Sequence, residues 1–268
     1  MPSLADQIAL IAQSLDSIEP HKHHMFFEVG ANDGVSQSNT LILESMGWDG
    51  FLVEPSKVAY EKILENRSCS HVYNCGVGDG TETSLIGYFS DGKLTASCDD
   101  EINKADPRSA TLMSRIFKSL QRSTSSETRL QALVRTISFF YQACVGQDES
   151  LKSMVECRTI ADILIDASAP RIDIMIIDVE GYEVEAIKGL SKLGGLFPRI
   201  IVVETRKKNQ FEACEILLAM NYILVSNLSL FSLQSNPQWS GDHQDFLWVN
   251  RDDLNALTAC GVQLKASC

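Results

Sequence analysis

The chain has 268 residues, 44% of them hydrophobic, with a formal net charge of -12. This is the composition of a globular protein, not a disordered one, and enough chain for one α/β domain carrying an insertion or a small cap. So acidic a surface repels phosphate backbones and anionic lipid, so no nucleic-acid partner is expected.

The first twenty residues lack the basic start and continuous apolar core of a signal peptide. Leu4, Ile8, Ile11, Leu15 and Ile18 recur at helical spacing and predict a short amphipathic helix packed on the domain. Residues 1–24 therefore read as a helix and linker, with the main domain over 25–268. His21, His23 and His24 follow Pro20, a setting that predicts an exposed linker more than a metal site. No apolar run approaches the ~20 residues a membrane span requires. The eight cysteines include no Cys-x-x-Cys pair, the pattern of reduced thiols in a cytoplasmic protein.

From residue 25 onward, strand-like and helical runs alternate. MFFEVG (25–30) leads to a helix around Ser38–Met46. FLVEP (51–55) precedes a helix through Tyr60–Asn66, and HVYNCGVG (71–78) reads as a further strand. The rhythm resumes with IDIMIIDVEG (172–181), a helix through Glu183–Leu193, RIIVVET (199–205), a helix through Phe211–Met220, YILVSN (222–227) and DFLWVN (245–250). Such alternation is the signature of βαβ units on a parallel sheet, and the unalternating IMII and IIVV runs suit central strands covered on both faces. Between the halves, SLIGYFSDGKLTAS (84–97) predicts a hairpin turning at Asp91-Gly92. Residues 101–150 read as a helical insertion over one sheet edge.

Four segments carry chemistry. In FFEVGANDG a strand ends near an acid and opens into a glycine turn, as an adenosine cofactor requires. The spacing Gly30-x-x-x-Gly34 departs from the dinucleotide G-x-G-x-x-G and favours a cofactor without a pyrophosphate. Glu54, at the end of the next strand, is placed to accept ribose hydroxyls. The third segment, NCGVGDGTE, breaks on glycines and meets Asp79, a corner suited to a purine amino group and equally to a plain turn. In the fourth, Asp178 and Glu180 leave a buried strand together, before Gly181. Two carboxylates there can hold a cationic amino-acid moiety, bind a metal, or take a proton from a nucleophile.

FFEVGANDG, FLVEPS, VECRTIADIL, IDIMIIDVEGYEVEAIKGL, RIIVVET and DFLWVN together resemble the FkbM-type methyltransferases, over roughly residues 25–99 and 155–250. The resemblance implies an α/β, Rossmann-like class I methyltransferase sheet, mostly parallel with its last strand antiparallel. It also implies S-adenosyl-L-methionine as cofactor and O-methylation of a hydroxyl on a sugar or glycosylated metabolite, with a small-molecule or glycan acceptor. By motif, Glu28, Gly30, Asn32, Asp33 and Gly34 border the methionine part and Glu54 the ribose. Gly76 to Asp79 lie near the adenine, and Asp178 and Glu180 are at the methyl-transfer site. Glu204-Thr205 lacks the nearby His the pattern leads one to expect.

A hydroxyl nucleophile needs its proton removed. An antiparallel last strand brings His243 and Asp245 to the catalytic edge, so His243 joins Asp178, Glu180 and Glu204 as a candidate base. Alternatively Asp178, Glu180 and Glu204 gather a divalent cation such as Mg2+. Arg108, Arg115, Arg122, Arg129 and Arg135 put positive charge in the insertion, read as solvated helix faces or as recognition of an anionic acceptor. Two rival functions share the fold: a nicotinamide-dependent oxidoreductase, and a non-catalytic module that binds a nucleoside cofactor.

Overall fold

The structure, a computed structural model, describes residues 3–36, 38–68, 70–90, 93–96, 152–179, 181–229 and 243–259. In chain order its elements are α1 (Leu4–Ile18), β1 (Met25–Val29), α2 (Leu41–Ser45), β2 (Asp49–Val53), α3 (Lys57–Asn66), β3 (Ser70–Tyr73), β4 (Gly76–Val77), β5 (Ser84–Ser90) and β6 (Lys93–Ala96). There follow β7 (Lys152–Arg158), α4 (Ile160–Asp166), β8 (Ile174–Ile177), α5 (Glu183–Ser191), β9 (Ile200–Arg206), α6 (Gln210–Ala219), β10 (Tyr222–Asn227), β11 (His243–Asn250) and α7 (Leu254–Ala259). Contacts divide the chain into two units, Met1–Leu85 with Val155–Cys268, and Ile86–Met154.

The first unit is built on a seven-stranded sheet of order β10-β11-β9-β8-β1-β2-β3. β3, β2, β1, β8 and β9 pair in parallel, and β11 runs antiparallel between β9 and β10. The chain steps outward from β1 to β3, then returns to place β8 on the other side of β1. The order of strands therefore reverses between β1 and β8, which is where open α/β sheets bind ligands.

Both faces of the sheet are covered, which is why its central strands carry apolar residues without alternation. Phe27, Val29, Phe51, Val53, Met175, Ile177, Ile201 and Val203 form one core with helices α4, α5 and α6. Phe26, Leu52, Ile174, Ile176, Ile200 and Val202 form the other with α1, α2 and α3. α1 starts in a capping box, Ser3 with Asp6, and buries Ile8, Ala9, Ile11, Ala12 and Leu15. Gly189 lets α5 approach the β4 turn; a Cβ there would sit 2.1 Å from the Gly78 carbonyl oxygen.

The sequence predicts one strand over 71–78, but the chain breaks at Asn74. Its Nδ2 donates to the carbonyls of Glu54 (2.9 Å) and Pro55 (3.1 Å). β3 stays on β2, while β4 pairs with β7 through Gly76↔Cys157 and Val77↔Arg158. In the second unit β5 and β6 pair antiparallel with Ser90 opposite Lys93. The Asp91-Gly92 step, the 101–150 insertion with its five arginines, and Glu180 lie outside the described residues. Among the described residues no helix is long and apolar enough to cross a membrane.

His24 is not exposed as a linker residue would be. It is buried, stacked on Trp48 with ring centroids 4.7 Å apart, and its Nδ1 lies 3.2 Å from Asp173. Asp173, at the amino end of β8, also accepts from Lys22 (2.7 Å), the Met25 N–H (3.0 Å) and Arg199 (3.1 Å). Burial opposes its ionisation, but Lys22, the Met25 amide and Arg199 outweigh that and hold it below the usual carboxylate range. A group with a lowered folded pKa stabilises above its unfolded pKa and loses that contribution as pH falls. Asp173→Ala leaves buried Arg199 with Glu19 and Asp253 but removes the partner of the Met25 N–H and the acid beside His24. It is expected to cost about 2–3 kcal/mol at pH 7 in urea unfolding, with the difference from wild type shrinking toward pH 3.

Candidate active site

Period-two alternation sorts the acids at the carboxyl end of the sheet. Phe26, Leu52, Ile176, Val202 and Leu247 all belong to the core that α1 covers. Glu28, Glu54, Asp178, Glu204 and Asp245 each lie two residues from one of them, toward the same end of the sheet, and so share that face. Register sharpens the arrangement. Val29 faces Val53 and Ile177, Ile177 faces Val203, and Glu204 faces Asp245. One tier past Val29 thus runs Glu54, Gly30, Asp178, Glu204, Asp245 across the reversal point, and its one position without a side chain is Gly30.

Gly30 is a glycine for two reasons. Its φ is +86°, and a Cβ built on it would lie 1.8 Å from the Asp178 carbonyl oxygen. The Asp178 N–H donates to the Val29 carbonyl at 3.1 Å, so β1 and β8 remain in contact as they leave the sheet. Asn32 also takes a positive φ, 51°. The turn is pinned by Asp33, which accepts from the amides of Val35 (3.0 Å) and Ser36 (2.6 Å) and from the Ser36 hydroxyl (2.7 Å).

Glu54 joins the turn to the end of β2. Its Oε2 accepts the Asn32 N–H at 3.0 Å and its Oε1 the Ser56 N–H at 2.8 Å. A carboxylate oxygen can accept two hydrogen bonds, so each retains a lone pair for a diol. Burial to 5% exposure pushes the carboxyl up to about 7, against the pull of those two amides. Two further donors are what would restore its charge.

Glu28 is committed inward. Its carboxyl accepts the Ser38 hydroxyl (3.2 Å), the Asn39 N–H (3.0 Å) and the Thr40 hydroxyl (2.5 Å), and burial raises its pKa despite these bonds and the nearby Arg67 charge. Arg67 completes the arrangement. Its buried guanidinium donates to the Gly34 carbonyl (2.9 Å), Ser38 (3.2 Å), Thr40 (3.3 Å) and Glu44, over the ring of Phe26. Glu28 and Arg67 therefore hold the back of the glycine turn. Nothing in the local sequence marks Arg67, a lone cation at the end of an ordinary helix.

Gly76 and Val77 form β4, and the Asp79 Oδ1 accepts the Thr81 N–H (2.8 Å) and hydroxyl (2.6 Å), which holds this half-buried acid below the usual range. Beyond Asp178 the β8–α5 turn contains a further buried acid, Glu183, whose Oε1 accepts the Gly181 N–H at 2.6 Å. Burial raises its pKa, with the Gly181 amide and the Arg206 charge pulling the other way. The spacing of IDVEGYE displays Glu183 beside the two acids singled out in the sequence, but only the fold shows it turned inward.

On the last strand, His243 pairs with Arg206 in the β9 register. Asp245 is buried, and its carboxylate accepts the Ser229 hydroxyl at 2.8 Å. Among the described residues the one set of three acid or histidine side chains close enough to share a metal ion is Glu19, His24 and Asp173, at the opposite, amino-terminal end of the central strands. Asp178 and Glu204 form no such set with described neighbours.

A sheet of this order, with a glycine cradle at the reversal and a carboxylate one strand away, is the Rossmann-like fold of class I methyltransferases. The chain belongs to the FkbM methyltransferase family: the methyltransferase FkbM domain matches residues 28–227. Among solved structures it is similar to a methyltransferase FkbM from Methylobacillus flagellatus KT, with 13% identity and a TM-score of 0.44 over 84% of this chain. The chain spans only 43% of that protein's length. The plantazolicin methyltransferase BpumL, solved with a monoazolic desmethylPZN analog and SAH, matches with 9% identity and a TM-score of 0.38, over 92% of this chain and 83% of its own. The small RNA methyltransferase HEN1 matches with 12% identity and a TM-score of 0.33, over 91% and 25%. No protein of curated function matches.

Proposed function

We propose that this protein is an S-adenosyl-L-methionine-dependent O-methyltransferase acting on a hydroxyl of a small molecule or glycan. The observation that carries the reading is the pairing, at the strand-order reversal, of the Gly30 cradle with Glu54, a buried acid with acceptor capacity to spare. When bound, the cofactor supplies a sulfonium methyl group open to in-line attack. Glu54 accepts the ribose hydroxyls, and the 30–34 turn, braced by Glu28, Asp33 and Arg67, carries the methionine part. Gly76 to Asp79 border the adenine.

Asp178 and Glu204 then stand on the acceptor side, with Glu180 and His243 as further candidates for taking the hydroxyl proton. Alignment supplies much of the rate in such a transfer, and a base within hydrogen-bond reach supplies the rest. The acidic chain suits a neutral or cationic acceptor better than a polyanion.

Titration with S-adenosylhomocysteine and, separately, with NAD tests the cofactor. Micromolar binding of the first alone supports the proposal; binding of NAD alone would transfer the site to nicotinamide chemistry. Asp178→Asn is expected to lower methyl transfer from labelled cofactor about 100-fold while leaving S-adenosylhomocysteine affinity within a few-fold. Exhaustive chelation is expected to leave the wild-type rate unchanged; loss restored by Mg2+ would give Asp178 and Glu204 a cation instead of a proton.

A further inference from the structure

Gly181 is held from both sides by side chains. Its N–H donates to the Glu183 Oε1 at 2.6 Å, and its carbonyl accepts the Asn209 Nδ2 at 3.1 Å. Its φ of 107° excludes other residues from this conformation, and the turn closes with the Tyr182 N–H on the Val179 carbonyl. Asn209 belongs to a different turn, the one leaving β9 after Glu204, and itself precedes α6. The contact therefore ties the exit of β8 to the exit of β9. It does so within about one turn of chain past Asp178 and Glu204, neighbours in the acidic tier.

Glu183 is an expensive way to satisfy one amide. It is 1% exposed, and its Oε2 makes no hydrogen bond of good geometry among the described residues, the nearby Asn209 amide only favouring its charged form. A buried carboxyl with an unsatisfied oxygen is unfavourable, so local stability alone does not explain it.

We infer that Glu183 and Asn209 are positioning residues, which clamp Gly181 between them and so fix Asp178 and Glu204 relative to each other around the transferred methyl group. The inference rests on the proposed methyl-transfer site. It concerns neither the cofactor's ribose nor its adenine, so its effect is confined to one end of the ligand.

Two nucleosides separate that end from the rest. S-adenosylhomocysteine lacks the methyl group, whereas sinefungin carries an ammonium where the methyl would be. The ratio of their dissociation constants, measured by titration calorimetry, reads the charge arrangement beside the methyl and needs no acceptor. Glu183→Ala and Asn209→Ala are expected to lower the preference for sinefungin by about 10-fold, the worth of a charge-assisted hydrogen bond, with S-adenosylhomocysteine affinity unchanged. Glu183→Gln keeps an oxygen for the Gly181 N–H and is expected to restore the ratio. It also serves as the informative variant if Glu183→Ala does not fold.

An unchanged ratio in Asn209→Ala and Glu183→Ala, or equal weakening of both ligands, overturns the clamp. So does failure of Glu183→Gln to restore the ratio. Asp178→Asn distinguishes the levels: if it leaves the ratio at the wild-type value, the placement of the methyl group beside Asp178 is wrong and the clamp falls with it. If it lowers the ratio while the clamp variants do not, only the clamp is wrong.

Discussion

Gly30→Ala is expected to abolish binding of S-adenosylhomocysteine and to cost about 3–5 kcal/mol of stability, whereas Gly47→Ala should cost only about 1 kcal/mol. Both glycines have positive φ, +86° and +89°, so both substitutions carry the strain of a left-handed alanine. They differ in what surrounds the new carbon. At Gly47 nothing lies within 4 Å, while at Gly30 the Asp178 carbonyl oxygen is 1.8 Å away. That oxygen is backbone at the end of a core strand, so the strand exits must separate to admit a methyl group. Urea unfolding and calorimetric titration of the two variants give the comparison. Equal destabilisation would mean that backbone strain, not close approach of β1 and β8, explains the glycine.

The second large effect is at Glu54. In the proposed complex the ribose hydroxyls would donate to the ionised carboxylate, while burial holds the free protein's carboxyl at about 7. Below that pH binding must release a proton, so affinity for S-adenosylhomocysteine should fall about tenfold per pH unit. Above it the affinity should level off. Glu54→Gln removes the charged acceptor and is expected to weaken binding about 100-fold at pH 8, with a flat pH profile. The free protein should show the opposite trend. A carboxyl with a raised folded pKa stabilises fully below its unfolded pKa, and that contribution is lost as pH rises through about 7. The loss from this group is on the order of 3 kcal/mol between pH 4 and 8, and Glu54→Gln should remove it. Urea unfolding of both proteins at several pH values checks the sign. A wild-type affinity independent of pH from 5.5 to 8 would remove Glu54 from the ribose.

Much of this architecture is legible in the chain because it depends on local pattern. Apolar runs without alternation predict doubly covered strands, and IMII and IIVV are β8 and β9 at the centre of the sheet. Helical spacing marks α1, and an acid two residues past an apolar strand position is bound to the same face whatever the surroundings. For that reason the placement of Glu54, Asp178 and Glu204 on one face could be read from sequence, and the motif order around them identified the family.

What the sequence left open involves contacts between distant segments. HVYNCGVG reads as one strand, yet Asn74 turns to the carbonyls of Glu54 and Pro55 and divides it between two sheets. Glu28 and Glu54 look alike, each an acid at a strand end. Tertiary structure commits the first to Ser38, Asn39 and Thr40, and leaves the second with unused acceptor capacity. His24, in a run of histidines after a proline, is packed on Trp48 beside Asp173 because α1 docks there. The physical reason is one of range. Alternation and turn chemistry are set by neighbours in the chain and can be read along it. Which donors reach a carboxylate, and so whether it braces a turn or awaits a ligand, is decided by residues brought together only when the sheet has formed.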